Sequence, residues 1–146
     1  DVAPSRGLGD VYKRQDLKKL FPEEEFQFEV PSPELKLNVD RTQIEQILIN
    51  LLKNAREACS RKSDKKIQVK ARKLSAGNTT LTISDNGEGI LPDVLDKIFV
   101  PFFTTKTSGS GIGLSLCKQI MTLHEGSINV KSEVGKGSSF ILTFPK

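Results

Sequence analysis

Residues 40–61 read DRTQIEQILINLLKNAREACSR, and within them Ile44, Ile47, Leu48, Leu51, Leu52, Ala55 and Ala58 recur at spacings of three and four. That period lines one side of an α-helix. Asp40 can cap its first turn, and the pattern predicts a helix running to about Arg61. Upstream, Phe26, Phe28 and Val30 alternate with Gln27 and Glu29 as one strand, Pro31-Ser32-Pro33 breaks it, and Leu35, Leu37 and Val39 form a second. Downstream, the charged stretch Arg61 to Lys66 reads as a solvated connection. Ile67, Val69 and Ala71 then alternate with polar neighbours, and Ala76-Gly77-Asn78 turns the chain toward Leu81 and Ile83, a hairpin.

After a glycine-rich segment, Asp85 to Ile90, a short helix is expected over Val94 to Phe99, following Pro92. Residues 100–111 are rich in Thr, Ser and Gly and are expected to form a mobile loop. Leu114, Leu116, Cys117, Ile120, Met121 and Leu123 mark a second helix, closed near Gly126. Ile128 and Val130 form one more strand, and Phe140, Leu142 and Phe144 the last, after the turn around Gly135 and Gly137. The order β-β-α-β-β-loop-α-β-β predicts an α+β fold: a two-layer sandwich whose mixed, mostly antiparallel sheet is covered on one face by helices. Residues 1–15, DVAPSRGLGDVYKRQ, hold no sustained apolar period; they are expected to be a linker or a foreign, tag-like segment, with the domain at residues 16–146.

Composition removes several classes. Lys plus Arg number 22 and Asp plus Glu 18, so the net charge of +4 is mild. The charges are dispersed and not interleaved with aromatics, which argues against a nucleic-acid module. No apolar run approaches the roughly 18 residues of a membrane span, and no secretory signal is evident. Cys59 and Cys117 with the lone His124 are too few ligands for a zinc site. Both cysteines read as reduced core thiols, which suits the cytoplasm. A Ser-His-Asp hydrolase would have to use His124, and nothing near it marks a nucleophile.

Four segments carry chemistry. In Asn50-Leu51-Leu52-Lys53-Asn54-Ala55 the two asparagines share a helix face while the leucines point to the core. Amide oxygens on a rigid helix can complete the shell of a hydrated Mg²⁺ that also holds phosphates, although two surface asparagines give the same pattern. In Asp85-x-Gly87-x-Gly89 a carboxylate at a strand end can accept from an exocyclic amine, and the glycines allow close approach of a flat ring; a plain turn reads the same way. In Ile98-Phe99-Val100-Pro101-Phe102-Phe103-Thr104-Thr105-Lys106 the aromatics can anchor the root of a polar loop and Lys106 can meet a phosphate. In Gly109-Ser110-Gly111-Ile112-Gly113-Leu114 free backbone N–H groups at a helix start make an anion site, without the Rossmann or Walker A pattern.

In this order and spacing the four segments resemble the ATP-binding catalytic domain of two-component sensor histidine kinases, in the GHKL superfamily. NLLKNA resembles the N box, DNGEGI the first glycine box, IFVPFFTTK the phenylalanine box and GSGIGL the second glycine box; the resemblance spans about residues 36–146, including the tail GKGSSFILTFP. It implies a GHKL sandwich that binds Mg²⁺ and ATP or ADP and passes the γ-phosphoryl group to a histidine on a separate helical dimerisation domain, upstream of a response regulator. It implies that Asp85 bonds adenine, Gly87, Gly89 and Ile90 shape the pocket, and Asn54 coordinates Mg²⁺ with Asn50 in support. It implies further that Phe99, Phe102 and Phe103 anchor a lid, with Thr104, Thr105 and Lys106 toward the nucleotide, and that Gly109, Gly111, Ile112, Gly113 and Leu114 form the phosphate side.

Two positions sharpen this reading. Related ATPases such as DNA gyrase and the mismatch-repair ATPases carry a water-activating glutamate where this chain has Asn50, which favours transfer to a protein over hydrolysis. Many family members place a lysine where this chain has Glu57, which leaves Lys53 or Lys106 for a γ-phosphate contact. His124 matches a structural turn of the family and not an acceptor, so the chain is expected to bind nucleotide without phosphorylating itself. A cytoplasmic catalytic piece, without membrane contact of its own, fits a parent that can be an inner-membrane sensor. A serine kinase of the anti-sigma-factor type and a nucleotide-sensing module without transfer activity stand as alternatives.

Overall fold

The structure, a computed structural model, describes residues 10–12, 19, 27–29, 37–103 and 113–145. Its elements are β1 (Asp10–Tyr12), β2 (Gln27–Glu29), β3 (Leu37–Val39), α1 (Arg41–Ala58), β4 (Ile67–Lys73), β5 (Thr79–Asp85), α2 (Pro92–Leu95), α3 (Gly113–Leu123), β6 (Ser127–Glu133) and β7 (Gly137–Phe144). A five-stranded sheet runs in the order β2-β4-β5-β7-β6, with β2 parallel to β4 and the other pairs antiparallel. β3 pairs instead with β1 in a small antiparallel ribbon. The segment 1–15, left out of the fold on periodicity, thus contributes three residues to a strand; a strand so short makes backbone pairs without an alternation to read.

The sheet buries one face. Ile67, Val69 and Ala71 of β4, Leu81 and Ile83 of β5, Ile128 of β6, and Phe140, Leu142 and Phe144 of β7 form a core with α1 and α3. From α1 come Ile44, Ile47, Leu48, Leu51, Leu52 and Ala55, the expected stripe. From α3 come Cys117, Ile120 and Met121, whereas Leu123, read as part of the same stripe, is 64% exposed at the helix end. Both cysteines are free and buried. The other sheet face carries Gln68, Lys70, Arg72, Thr80, Thr82 and Ser84, as the alternation requires.

Both ends of α1 are set by side-chain and loop chemistry. Asp40 caps it as read: its carboxylate accepts from the Gln43 N–H at 3.1 Å. The helix stops at Ala58, short of Arg61, and the Ala58 carbonyl accepts from the Glu88 N–H at 3.2 Å. The loop that follows β5 therefore satisfies one of the helix's orphan carbonyls.

Candidate functional site

The helix-facing side of the sheet changes character at one end. Cross-strand register aligns Ile83 with Phe140 and Phe140 with Val130, an apolar row. Two residues along, it aligns Asp85 with Ser138 and Ser138 with Ser132, a polar row. The Ser132 and Ser138 hydroxyls are 2.8 Å apart. Ser132 donates to the Gly137 carbonyl at 3.2 Å and accepts from the Ile90 N–H at 2.8 Å. With that proton committed, Ser138 is the donor between the two hydroxyls and keeps acceptor capacity beside Asp85. The Asp85 carboxylate is half-buried and accepts from the Gly87 N–H at 2.9 Å. Burial pushes its pKa above the usual carboxylate range, while the Gly87 and Ser138 backbone N–H groups pull against that shift. An open groove of about 290 Å³ lies at this end of the sheet, lined by Asp85, Lys131, Ser132, Glu133, Lys136 and the start of β7, with Lys131 and Ser139 on the face away from the helices.

Close backbone approaches hold the segment after Asp85. A side chain at Gly87 would run into the Ala58 carbonyl and come 2.8 Å from the Ala58 Cβ. At Gly89, φ is +78° and an added Cβ would strike the Glu133 backbone. Asn86 points the other way: its Oδ1 accepts from the Lys66 N–H at 2.8 Å and its Nδ2 donates to the Asp64 carbonyl at 3.0 Å. The segment is thereby fastened to the end of α1, to the β6–β7 turn and to the α1–β4 connection. Ile90 packs on the core from this position.

Asn50, Asn54 and Ala58 follow one another at four-residue steps along α1, close to one face. The Ala58 end of that face meets Gly87 and Glu88. The Asn50 end meets the start of α3, where Asn50 Nδ2 makes a long 3.4 Å contact to the Gly113 carbonyl and lies 3.9 Å from Cys117 Sγ. Asn54, half-buried, stands between the two contacts. Glu57 is half-buried near the same face, and Lys53 is exposed. Burial pushes the Cys117 thiol up to about 11, so it stays protonated and inert beside Asn50. Among the described residues no group of three or more His, Cys, Asp or Glu side chains could hold a metal ion. Mg²⁺ bound with phosphates commonly takes one or two protein oxygens and several waters, so a single amide on this face fits its donor requirement.

Of the aromatics, Phe99 packs on the core with the Lys118 ammonium 5.7 Å from its ring centre, and Phe103 is half-buried. Phe102, expected to help anchor the loop, is 74% exposed at φ +67°. Gly113 opens α3 and Leu114 is partly buried against the core. Thr104, Thr105, Lys106, Gly109, Gly111 and Ile112 lie outside the described residues. Sequence reasoning gave Ser132 and Ser138 no role and read Gly137 as part of a turn, because their place beside Asp85 depends on strand register across β5, β7 and β6. The available signal was the small polar run Gly137-Ser138-Ser139 opening a strand that is otherwise mostly apolar.

Residues 39–146 match the family model described as histidine kinase-, DNA gyrase B-, and HSP90-like ATPase. The sensor histidine kinase ZraS of Salmonella typhimurium is 39% identical over 110 residues, covering 75% of this chain and 23% of that protein. The signal transduction histidine-protein kinase AtoS of Escherichia coli is 42% identical over 109 residues, covering 75% of this chain and 18% of its own length. The chain thus spans about a quarter or less of these curated relatives. The nucleotide-free catalytic domain of histidine kinase ThkA superposes with a TM-score of 0.80 at 34% identity, covering 94% of this chain and 95% of that one. A structure of ThkA in complex with the response regulator TrrA superposes at 0.73 with 30% identity, covering 94% of this chain and 41% of that one.

Proposed function

The chain belongs to the histidine kinase-, DNA gyrase B- and HSP90-like ATPases, as a histidine-kinase-type ATP-binding catalytic domain, and on that premise we propose that it binds Mg-ATP and donates the γ-phosphoryl group to a histidine of a separate dimerisation domain. The observation that carries the reading is the half-buried Asp85 carboxylate in a polar row that ends an apolar sheet face. A buried acceptor beside the Ser138 hydroxyl suits the exocyclic amine of adenine, and an apolar wall with Ile90 suits its ring. The Asn50–Asn54 face and the start of α3 supply the phosphate side, with Asn54 as the Mg²⁺ ligand and Lys53 or Lys106 left for the γ-phosphate.

Phosphoryl transfer asks the protein for positioning and charge neutralisation more than for covalent help. When bound, Mg²⁺ neutralises charge across the phosphates; the chain's own residues orient them. Asp85 fixes the base, the α3 N–H groups meet the phosphates, and the loop read at residues 100–111 is assigned to closing over the nucleotide. Asn50 cannot take a proton from water as a carboxylate can, which supports transfer to a protein over hydrolysis. The catalytic unit is assigned to residues 16–146, with Asp10–Tyr12 of the preceding segment adding a strand beside β3. Its partners are assigned as the dimerisation domain of the parent and a response regulator downstream, as in the ThkA–TrrA complex. Among the described residues no helix is long and apolar enough to cross a membrane; a cytoplasmic location is part of the proposal, through the unit's similarity to sensor kinase catalytic domains.

The test is calorimetry with Mg-ADP, followed by incubation with ATP and a histidine-bearing dimerisation domain. Binding and an acid-labile phosphate on that domain are expected. No nucleotide binding overturns the reading; an acid-stable phosphate points to the serine kinase, and binding without transfer to the nucleotide-sensing module.

A further inference from the structure

Helices α1 and α3 run antiparallel, with contacts at both ends and between. Asn50 meets Gly113 at one end, and the Cys117 thiol lies 4.0 Å from the Ile47 carbonyl along the way. At the other end stands His124, only 7% exposed. Its Nδ1 is 2.8 Å from the Ile120 carbonyl, and its Nε2 is 3.0 Å from the backbone nitrogen of Asp40. A backbone N–H can only donate, so Nε2 accepts and Nδ1 carries the proton. Asp40 is also the residue whose carboxylate caps α1. The imidazole therefore pins the last turn of α3 to the first residue before α1. Neither ring nitrogen remains free for chemistry.

We propose that His124 is a positioning residue for nucleotide binding: it fixes the axial register of α3 against α1, and so where the start of α3 stands relative to Asn50 and Asn54. This rests on the nucleotide-binding reading above. The two parts of that site are held by different means. The Asp85 part is locked by the approach of Gly87 to Ala58 and of Gly137 to the Asp85 backbone. The phosphate part depends on how α3 lies along α1. Loss of the His124 bridge should be felt by phosphates and not by the base.

The experiment compares Mg-ADP and adenosine affinities, by NMR titration, for the wild type, H124F and H124Q. Phenylalanine keeps the ring and removes both polar atoms. Glutamine offers a carbonyl to Asp40 and an amide donor to Ile120. H124F is expected to weaken Mg-ADP roughly tenfold, the scale of a misplaced binding group, while adenosine affinity is unchanged, and H124Q is expected to restore most of the loss. An unchanged ratio of the two affinities in H124F overturns the inference, whether both ligands bind normally or both weaken together. If H124F does not fold, H124N, which keeps a donor near Ile120 but is too short for Asp40, takes its place with the same criterion. A wild type that binds neither ligand overturns the nucleotide reading and this inference with it; a wild type that binds, with no change of ratio in the variants, overturns the inference alone.

Discussion

The two glycine-rich segments look alike in sequence and are built differently. In the first, Gly87 and Gly89 are steric necessities: a Cβ on either would enter the backbone of Ala58 or of Glu133. Gly137, which faces them from the start of β7, has φ +123° and would collide with the Asp85 carbonyl. In the second, the one glycine among the described residues is Gly113. A Cβ there meets nothing closer than the Asn50 side chain, at 3.6 Å. The Asp85 wall is packed into the fold, whereas Gly113 at the start of α3 has room around it. Folding therefore fixes the first segment regardless of ligand, while packing does not require glycine at position 113; in the proposed function its bare N–H would face an anion.

The largest expected effect breaks the packed wall. Gly137→Ala combines a left-handed backbone with overlap on main-chain atoms, and should cost about 3 kcal/mol or more. Gly87→Ala, with ordinary φ but a similar overlap, should cost about 1–3 kcal/mol. Urea denaturation midpoints measure both. A Gly137→Ala protein as stable as the wild type would mean that β7 does not approach Asp85 so closely.

Asp85→Asn separates the wall's stability from its recognition chemistry. An amide keeps an oxygen for the Gly87 N–H but presents a donor where adenine needs an acceptor, so Mg-ADP affinity should fall at least about a hundredfold, or 2.7 kcal/mol. Stability should move the other way. Burial raises the pKa of Asp85 in the folded state, so the native state holds the proton more readily than the unfolded one. That contribution favours folding at low pH and is lost as pH rises through the folded pKa. At neutral pH the asparagine variant should therefore melt no lower than the wild type, and slightly higher if burial dominates. Binding has the opposite dependence on pH: wild-type affinity should decline as pH falls through the raised Asp85 pKa, because a protonated carboxyl loses acceptor strength. Affinity that does not decline as pH falls through the range where Asp85 takes up its proton would remove Asp85 from the base contact.

Much of the wall was legible because its signals are local. The three-and-four spacing of Ile44 to Ala55 marks α1, alternation marks β4 and β5, and an aspartate followed by spaced glycines marks a turn where backbones meet. The polar row was not legible, since Ser132 and Ser138 reach Asp85 only through a register set by β6 and β7. His124 was read as a structural turn, but its partner Asp40 lies 84 residues away. Phe102 misled because an aromatic in a phenylalanine run reads as buried, while its left-handed backbone turns it outward. Lys106 and Gly111, read from their chemistry and from the resemblance alike, fall outside the described residues.

Gly113→Ala sharpens the contrast from the open side. Alanine is the better helix former by about 1 kcal/mol in a helix interior and by less at a first turn, and there is space for its methyl group. Stability should stay within about 0.5 kcal/mol of the wild type. If the glycine is there for an anion, Mg-ADP should weaken several-fold while adenosine is unaffected. Equal affinities for both proteins would leave the second segment without the role that its bare backbone suggests.

The smallest effect is expected from deleting residues 1–15. Among the described residues, β1 adds the three backbone pairs Asp10–Val39, Val11–Asn38 and Tyr12–Leu37 in a ribbon separate from the main sheet, and it also touches α1. A two-stranded ribbon is marginal on its own, so its loss should cost no more than about 1 kcal/mol, visible as a small shift in thermal midpoint. The Asp85 wall is held by α1, β6 and β7. Mg-ADP affinity should therefore be unchanged. A shortened chain that folds but binds nucleotide more weakly would mean that the wall is not self-contained, and that the α1 start, where Val39 and Asp40 meet both β1 and His124, transmits to the site.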